Sequence, residues 1–329
     1  MAKYILKRLA LSVLILLGVS LIIYFLIRLM PVDYVETLIS NMSGTTPVSK
    51  ETREALYATY GLGDNSFVGI IKGYFTWLGN ICRFDFGTSF IEKIPVKDVI
   101  ASKMGISFAV ALIATVFEFM IAIPLGITAA THQYSFRDYL STVLVMIGIS
   151  LPSFFFGQML KLLFAYELQW LPIAGMLSVG GPTEGIGLLL DYAQHMLLPI
   201  LTIVILSIGP RMRMTRTNML EVMNSDYIRT ARAKGLKESK VINKHAFRNT
   251  LIPLVTTLAG LLPSLFSGAI ITEQVFALDG IGNVALNAMS KGDIPFIMGY
   301  NMFLAILSVI GVLLSDLMYA LVDPRVKLE

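Results

Sequence analysis

Cysteine, histidine and charged side chains are scarce in this chain of 329 residues. The scarcity of cysteine and histidine excludes particular kinds of site. The one cysteine, Cys82, excludes an internal disulfide and a metal site built from several cysteines. The three histidines, at positions 132, 195 and 245, form no HExxH motif and no close pair, so we expect no metal site. The sequence also lacks a GxxxxGKS or GxxxxGKT phosphate-binding loop. If nucleotide powers this protein, another chain must therefore bind it.

Charged residues make up 15% of the chain, against about 25% in soluble domains, and the mean hydropathy is +0.72. This composition predicts an all-α polytopic membrane protein, because helices satisfy their own backbone hydrogen bonds in lipid. Nucleic-acid binding is not expected, since the basic residues border apolar runs. We predict six transmembrane helices: Leu9–Leu29, Ile106–Ala130, Leu140–Phe164, Met196–Met214, Leu251–Ile271 and Phe296–Leu321.

The distribution of basic residues predicts the orientation of these spans. Three basic residues precede the first span and ten lie between Arg211 and Arg248, whereas the third loop has none. Both termini should therefore be cytoplasmic. We expect residues 1–30 to be a retained first helix, 31–103 an extracytoplasmic loop or subdomain, 104–321 the transmembrane core and 322–329 a cytoplasmic tail.

The most informative part of the basic loop is Asp226-Tyr-Ile-Arg-Thr-Ala-Arg-Ala-Lys-Gly-Leu236. A short helix is predicted here, with a side-chain cap from Asn224 or Ser225 and an end at a left-handed Gly235. A second helix should follow at about Lys237–Asn249, which places a pair of short helices at about 225–249.

Either this segment is a docking surface for a soluble partner, or it is only a basic loop that sets topology. For docking, Tyr227, Ala231 and Lys234 should share one face, and Ala231 and Ala233 should leave room for a partner. The candidate docking residues are Asp226, Tyr227, Arg229, Thr230, Ala231, Arg232, Ala233, Lys234, Gly235 and Leu236.

The segment resembles the coupling segment of ABC-importer permeases, in which Glu-Ala-Ala is followed by three residues and a glycine. Here Arg229-Thr-Ala231 is followed by three residues and Gly235, so the glutamate and the first alanine are missing, and the spacing to Pro253 is longer. Both departures match the peptide-importer branch of the family. Further family motifs occur in order along the chain: Phe84–Ser89, Ser150–Phe154, Trp170–Gly175, His195–Pro199, His245–Asn249, Glu273–Phe276, Gly280–Gly282 and Asp323–Arg325.

The chain thus resembles the B-type inner-membrane permease of dipeptide, oligopeptide or nickel ABC importers. The resemblance implies a six-helix type I importer fold without an ATPase site. It also implies several partners: a homologous C-type permease, two ATP-binding cassette subunits that hold ATP and Mg²⁺, an extracytoplasmic substrate-binding protein and a peptide substrate. Uptake of nickel or another small solute, and a stand-alone secondary transporter, are the alternatives. The absence of a convincing internal repeat disfavours an inverted-repeat secondary transporter.

Two further sites within or beside the spans, with four residues between them, are candidates for function. Glu118 is an ionisable residue deep in the second span, and it either lines a translocation path or pairs inside the helix bundle. Glu273, Gly280 and Gly282 follow the fifth span and would form an outer gate, a contact with the binding protein or an ordinary connecting loop.

Overall fold

The computed structural model describes residues 2–28, 34–42, 49–59 and 66–322. Within these residues the chain is helical, and its one β-contact is an antiparallel bridge between Thr88 and Pro95. The α-helices are α1 Ala2–Arg28, α2 Tyr34–Met42, α3 Lys50–Thr59, α4 Phe67–Ile81, α5 Val96–Thr131, α6 Phe136–Ser150, α7 Ser153–Leu160, α8 Gly185–Met223, α9 Asp226–Ala233, α10 Glu238–Lys240, α11 Phe247–Thr256, α12 Leu258–Phe266, α13 Ile270–Val275, α14 Ile281–Lys291 and α15 Ile294–Val322. Two π-helical segments, Lys161–Glu167 and Val241–Ala246, continue α7 and α10. The predicted tail, apart from Val322, lies outside the described residues, as does the Asp323–Arg325 motif.

Four helices among the described residues are long and apolar enough to cross a membrane, at Leu6–Ile27, Val96–Thr131, Gly185–Met223 and Ile294–Asp316. They correspond to the first, second, fourth and sixth predicted spans. A fifth candidate is the pair Phe136–Ser150 and Ser153–Glu167, which is bent by 103°. The described residues thus give four or five spans, and the count of six stays a prediction.

Proline explains the bend in the third predicted span. The residue before a proline is disfavoured in the α conformation, and Leu151, which precedes Pro152, has an extended backbone with φ −93° and ψ 133°. The fifth predicted span, Leu251–Ile271, is also interrupted, because α11 ends before Thr257 and α12 ends before Ser267. Neither piece is long enough to span the hydrocarbon core alone.

The chain divides into two compact units, and the predicted domain bounds stay a prediction. The first comprises Met1–Gly105 and Gly280–Val309, and the second comprises Ile106–Asp279 and Ile310–Glu329. Residues 280–309 therefore group with the N-terminal part and not with the rest of the predicted core. The reason is a shared apolar core in the first unit, in which Val96, Val99, Ile281 and Phe296 are almost fully buried.

In the second unit, glycines let α8 approach its neighbours closely. A Cβ at Gly126 of α5 would lie 2.6 Å from the Thr215 Cβ and 2.8 Å from the Met212 carbonyl oxygen. A Cβ at Gly209 of α8 would lie 2.4 Å from Ile149 of α6. Small residues at such crossings allow helix backbones to pack tightly in a membrane.

In the first unit, Asp293 anchors the loop before α5. Its buried carboxylate accepts hydrogen bonds from the Ser89 hydroxyl at 2.6 Å and from the backbone N–H groups of Phe90 and Ile91 at 3.0 and 3.1 Å. It also accepts from the Phe296 N–H at 3.3 Å, in the first turn of α15. The serine that ends the Phe84–Ser89 motif is therefore a structural residue.

Replacing Asp293 with alanine should lower the free energy of unfolding by about 2–4 kcal/mol, because four donors would lose their acceptor in a buried site. The measurement is the thermal unfolding midpoint of the purified chain in detergent. Glu92→Ala is the matched control, since that side chain is exposed in the same loop, and it should change stability by no more than about 0.5 kcal/mol. Equal midpoints for the two variants would contradict the anchoring role.

Candidate functional site

The candidate docking segment starts where the long helix α8 ends. Ser225 occupies the position before α9, and its carbonyl accepts from the N–H groups of Ile228 and Arg229. The predicted side-chain cap is wrong, because the Ser225 hydroxyl donates to the Val222 carbonyl and the Asn224 amide donates to the Leu220 carbonyl. Both side chains thus satisfy carbonyl groups at the end of α8, where the helix itself offers no donors.

Gly235 terminates α9 as expected. Its φ is +73°, the left-handed region, and its N–H donates to the Arg232 carbonyl at 2.9 Å. Among the described residues, no atom beyond the chain neighbours of Gly235 lies within 4 Å of a Cβ built there, so the backbone conformation, and not crowding, favours glycine.

The inner face of α9 is buried against the permease itself. Ile228 and Ala231 pack in one apolar cluster with Met219 of α8 and with Val241 and Ala246 of the second π-helical segment. The prediction that Ala231 shares an exposed face with Tyr227 and Lys234 is therefore wrong. Position 231 falls three residues after Ile228 on the same side of the helix, and that side faces the protein.

The outer face of α9 is exposed and basic. Tyr227 is 47% exposed, and of the two alanines only Ala233 remains accessible. Leu236 is half-buried. The other candidate docking residues, Asp226, Arg229, Thr230, Arg232, Lys234 and Gly235, are also exposed.

An ion pair joins α9 to the helix that follows. Arg232 donates to Glu238 at 2.7 Å, and this bond holds the pKa of the Glu238 carboxyl below its usual range. The predicted second helix is longer than expected, since α10, the π-helical segment and α11 run without a break from Glu238 to Thr256. Its π-helical part carries Val241 and Ala246 into the cluster under α9.

Arginines of α8, the helix that precedes the docking segment, join α8 to neighbouring helices. Arg216 holds the buried Asp138 of α6 through two hydrogen bonds of 3.0 and 2.9 Å. Such bidentate pairs fix both distance and orientation. Sequence reasoning missed this pair, because nothing in either local pattern connects residues 78 positions apart.

Glu118 pairs inside the helix bundle, which is one of its two expected roles. Its carboxylate accepts from the Arg211 Nε at 2.9 Å, while Arg211 also donates to the Thr257 hydroxyl at 2.9 Å. The Arg211 guanidinium lies 4.5 Å from the ring centre of Phe119. The structure therefore gives Glu118 a partner on α8, and a place in a translocation path stays a prediction.

The residues predicted at an outer gate are all buried. Glu273 is 2% exposed and accepts from the Ser107 hydroxyl at 2.6 Å and from the Ala269 N–H at 3.2 Å. Gly280 precedes α14 with φ −99°, and Gly282 lies within that helix. The surfaces of these residues face the protein interior, and a contact with a binding protein stays a prediction. An outer gate stays a prediction.

Comparison with known proteins supports the fold and the family. The family described as binding-protein-dependent transport system inner membrane component matches residues 122–328. The oligopeptide transport system permease protein AppB of Bacillus subtilis is 35% identical over 99% of this chain and 100% of its own length. The dipeptide transport system permease protein DppB of Escherichia coli K12 is 30% identical over 99% of both chains.

A solved structure shares the fold at low sequence identity. A chain of the MetNI methionine ABC transporter, in an inward-facing conformation, aligns with a TM-score of 0.53 and 16% identity over 68% of this chain and 96% of its own. The expected ABC-importer permease fold is thereby confirmed. From the family match and from the relatives that align along its whole length, this chain belongs to the binding-protein-dependent transport system inner membrane component family and is a membrane-integral permease.

Proposed function

We propose that this chain is the permease subunit of an ATP-driven importer and forms half of a translocation pathway for peptides. The observation that carries the proposal is the alignment, over nearly the whole chain, with permeases named for oligopeptide and dipeptide transport. The other half of the pathway would come from a homologous C-type permease. An extracytoplasmic binding protein would deliver the peptide.

ATP and Mg²⁺ would be bound by two partner ATPase subunits, since the sequence contains no phosphate-binding loop. The membrane would be the cytoplasmic membrane, with both termini on the cytoplasmic side. The ten basic residues between Arg211 and Arg248 support that orientation.

The outer face of α9 would dock on one ATPase subunit. Its exposed tyrosine and basic residues offer a surface that lies outside the apolar cluster under α9. The inner face of α9 would transmit movement of the ATPase to α8, because Ile228 and Ala231 are packed on Met219 of α8. Movement of α9 would then shift α8, which Arg216 and Arg211 link to α6 and α5. This is a two-state element biased by nucleotide bound to another chain.

The proposal is tested by purifying the tagged chain in mild detergent from its native membrane and identifying the co-purifying proteins by mass spectrometry. We expect a second permease and ATPase subunits, and ATP-dependent peptide uptake after reconstitution with the binding protein. ATP-dependent uptake of nickel with no uptake of peptides would show that the substrate is a metal ion and not a peptide. Recovery of the chain alone, with transport driven by an ion gradient, would overturn the proposal in favour of a secondary transporter.

Gly235→Val should uncouple ATP hydrolysis from uptake while the chain still inserts into the membrane. A β-branched residue in the left-handed region costs about 1–3 kcal/mol, so the end of α9 should rearrange. The measurement is the ratio of peptide taken up to ATP hydrolysed in proteoliposomes. Gly235→Asn is the control, because asparagine tolerates this conformation, and it should retain most of the uptake. Normal uptake by Gly235→Val would refute the coupling role.

Leucine substitutions at the two alanines of α9 should have different effects. Ala231→Leu overfills the buried cluster and should destabilise the permease itself by about 1–3 kcal/mol. Ala233→Leu adds a side chain on the exposed face, so it should leave the unfolding midpoint unchanged and weaken ATPase binding. Thermal unfolding and co-purification of the ATPase subunits measure the two effects. The same loss of stability in both variants would show that the two faces are not distinct.

A further inference from the structure

Helix α4 has an apolar surface that divides into two parts. At 3.6 residues per turn, one part packs into the apolar core of the first unit and contacts α1, and the other, adjoining it, is exposed. The residues packed in that core are Ile70, Tyr74, Trp77 and Leu78, and Ile81 on the same side is also buried. The exposed apolar residues are Phe67, Val68, Ile71 and Phe75, with exposures of 78, 75, 37 and 64%.

The opposite side of α4 is polar. Lys72, Thr76 and Asn80 follow one another at intervals of four residues and are all exposed. The rest of this side consists of small glycines, at positions 69, 73 and 79. An apolar face opposite a polar face is a feature that α4 shares with helices that lie in a membrane interface, although its polar face carries one lysine and not several.

Contacts with α1 give the depth of Tyr74, in the middle of α4. The Tyr74 hydroxyl lies 2.9 Å from the Ser20 hydroxyl in a buried hydrogen bond. Tyr24 makes ring contacts of 5.5 Å with Tyr74 and 5.8 Å with Trp77. Ser20 lies inside the candidate span Leu6–Ile27, seven residues before its end, which is about 10 Å along the helix axis. Tyr74 therefore sits about 10 Å below the end of a span that matches the hydrocarbon thickness.

α1 also exposes apolar side chains near the point where α4 contacts it. Ile22, Phe25 and Leu26 of α1 are exposed in the same stretch of the span. In a chain that crosses the bilayer, exposed apolar side chains at this depth lie in hydrocarbon. A cluster of two phenylalanines, a valine and an isoleucine in water would instead be an unusual exposed apolar patch.

We propose that α4 is an interfacial helix, embedded in the leaflet at the Ile27 end of α1, whose exposed apolar face binds lipid acyl chains. Phe67, Val68, Ile71 and Phe75 lie among the acyl chains, and Lys72 extends toward the headgroup phosphates. The segment 31–103 is then a subdomain with a membrane anchor of its own. The inference does not depend on the substrate or on ATP.

Depth measurement by spin labelling tests this assignment in the full-length chain, reconstituted in phosphatidylcholine nanodiscs. Cys82 is exposed and is first replaced in a Cys82→Ser background. Single cysteines are then introduced as Phe75→Cys on the apolar face and Thr76→Cys on the polar face, and a nitroxide is attached to each. Phe25→Cys on α1 serves as the lipid-facing reference.

The measured quantity is the ratio of relaxation by oxygen, which partitions into lipid, to relaxation by a water-soluble nickel chelate. The ratio at Phe75→Cys should be several-fold higher than at Thr76→Cys and close to that at Phe25→Cys. Equal ratios at positions 75 and 76 would place α4 in water and overturn the proposal. Protection of position 75 from both reagents would mean that protein covers the face, which also overturns it. Val68→Cys reports the same face if Phe75→Cys does not fold.

Discussion

The contact of Ile228 and Ala231 with the clustered side chains beneath them holds the candidate site together. A helix of eight residues is not stable alone in water, because the free-energy cost of nucleation exceeds the stabilisation from the hydrogen bonds of one or two turns. α9 therefore exists because its inner face is buried against α8 and the second π-helical segment. The same burial leaves the outer face as the only part of α9 that a partner can reach. One packing interaction thus decides both the presence of the helix and the side that it presents.

Charged side chains in the second unit restrict how α8 can move. Arg211 and Arg216 each hold a buried carboxylate on another helix. Breaking such a pair leaves a buried charge without compensation, which costs far more than the pair contributes when intact. Together with the close approach at Gly126, the pairs favour movement of α8 with its neighbours over sliding past them. In the proposed coupling, a displacement of α9 would move α8 together with α5 and α6, so no dedicated pathway of residues is needed.

How far the site could be predicted depended on the range of the interactions involved. The left-handed Gly235 follows from residue type and local position, because a glycine just after a helix commonly adopts positive φ. The caps at Asn224 and Ser225 were predicted for the wrong helix, since the same side chains can serve the end of α8 or the start of α9. Ala231 was assigned to the exposed face because helical periodicity relates positions to one another and does not say which side meets the protein.

The sequence by itself determined that this chain is a helical membrane protein, where its apolar runs lie and which family it resembles. These properties are local, since hydropathy and short motifs act within one segment. Only the tertiary structure decided that Glu118 pairs with Arg211, 93 residues away, and that Glu273 is buried. It also decided that α4 packs against α1 at Ser20, within the first span. Contacts of this range depend on how the helices pack, and a single sequence carries no local trace of that packing.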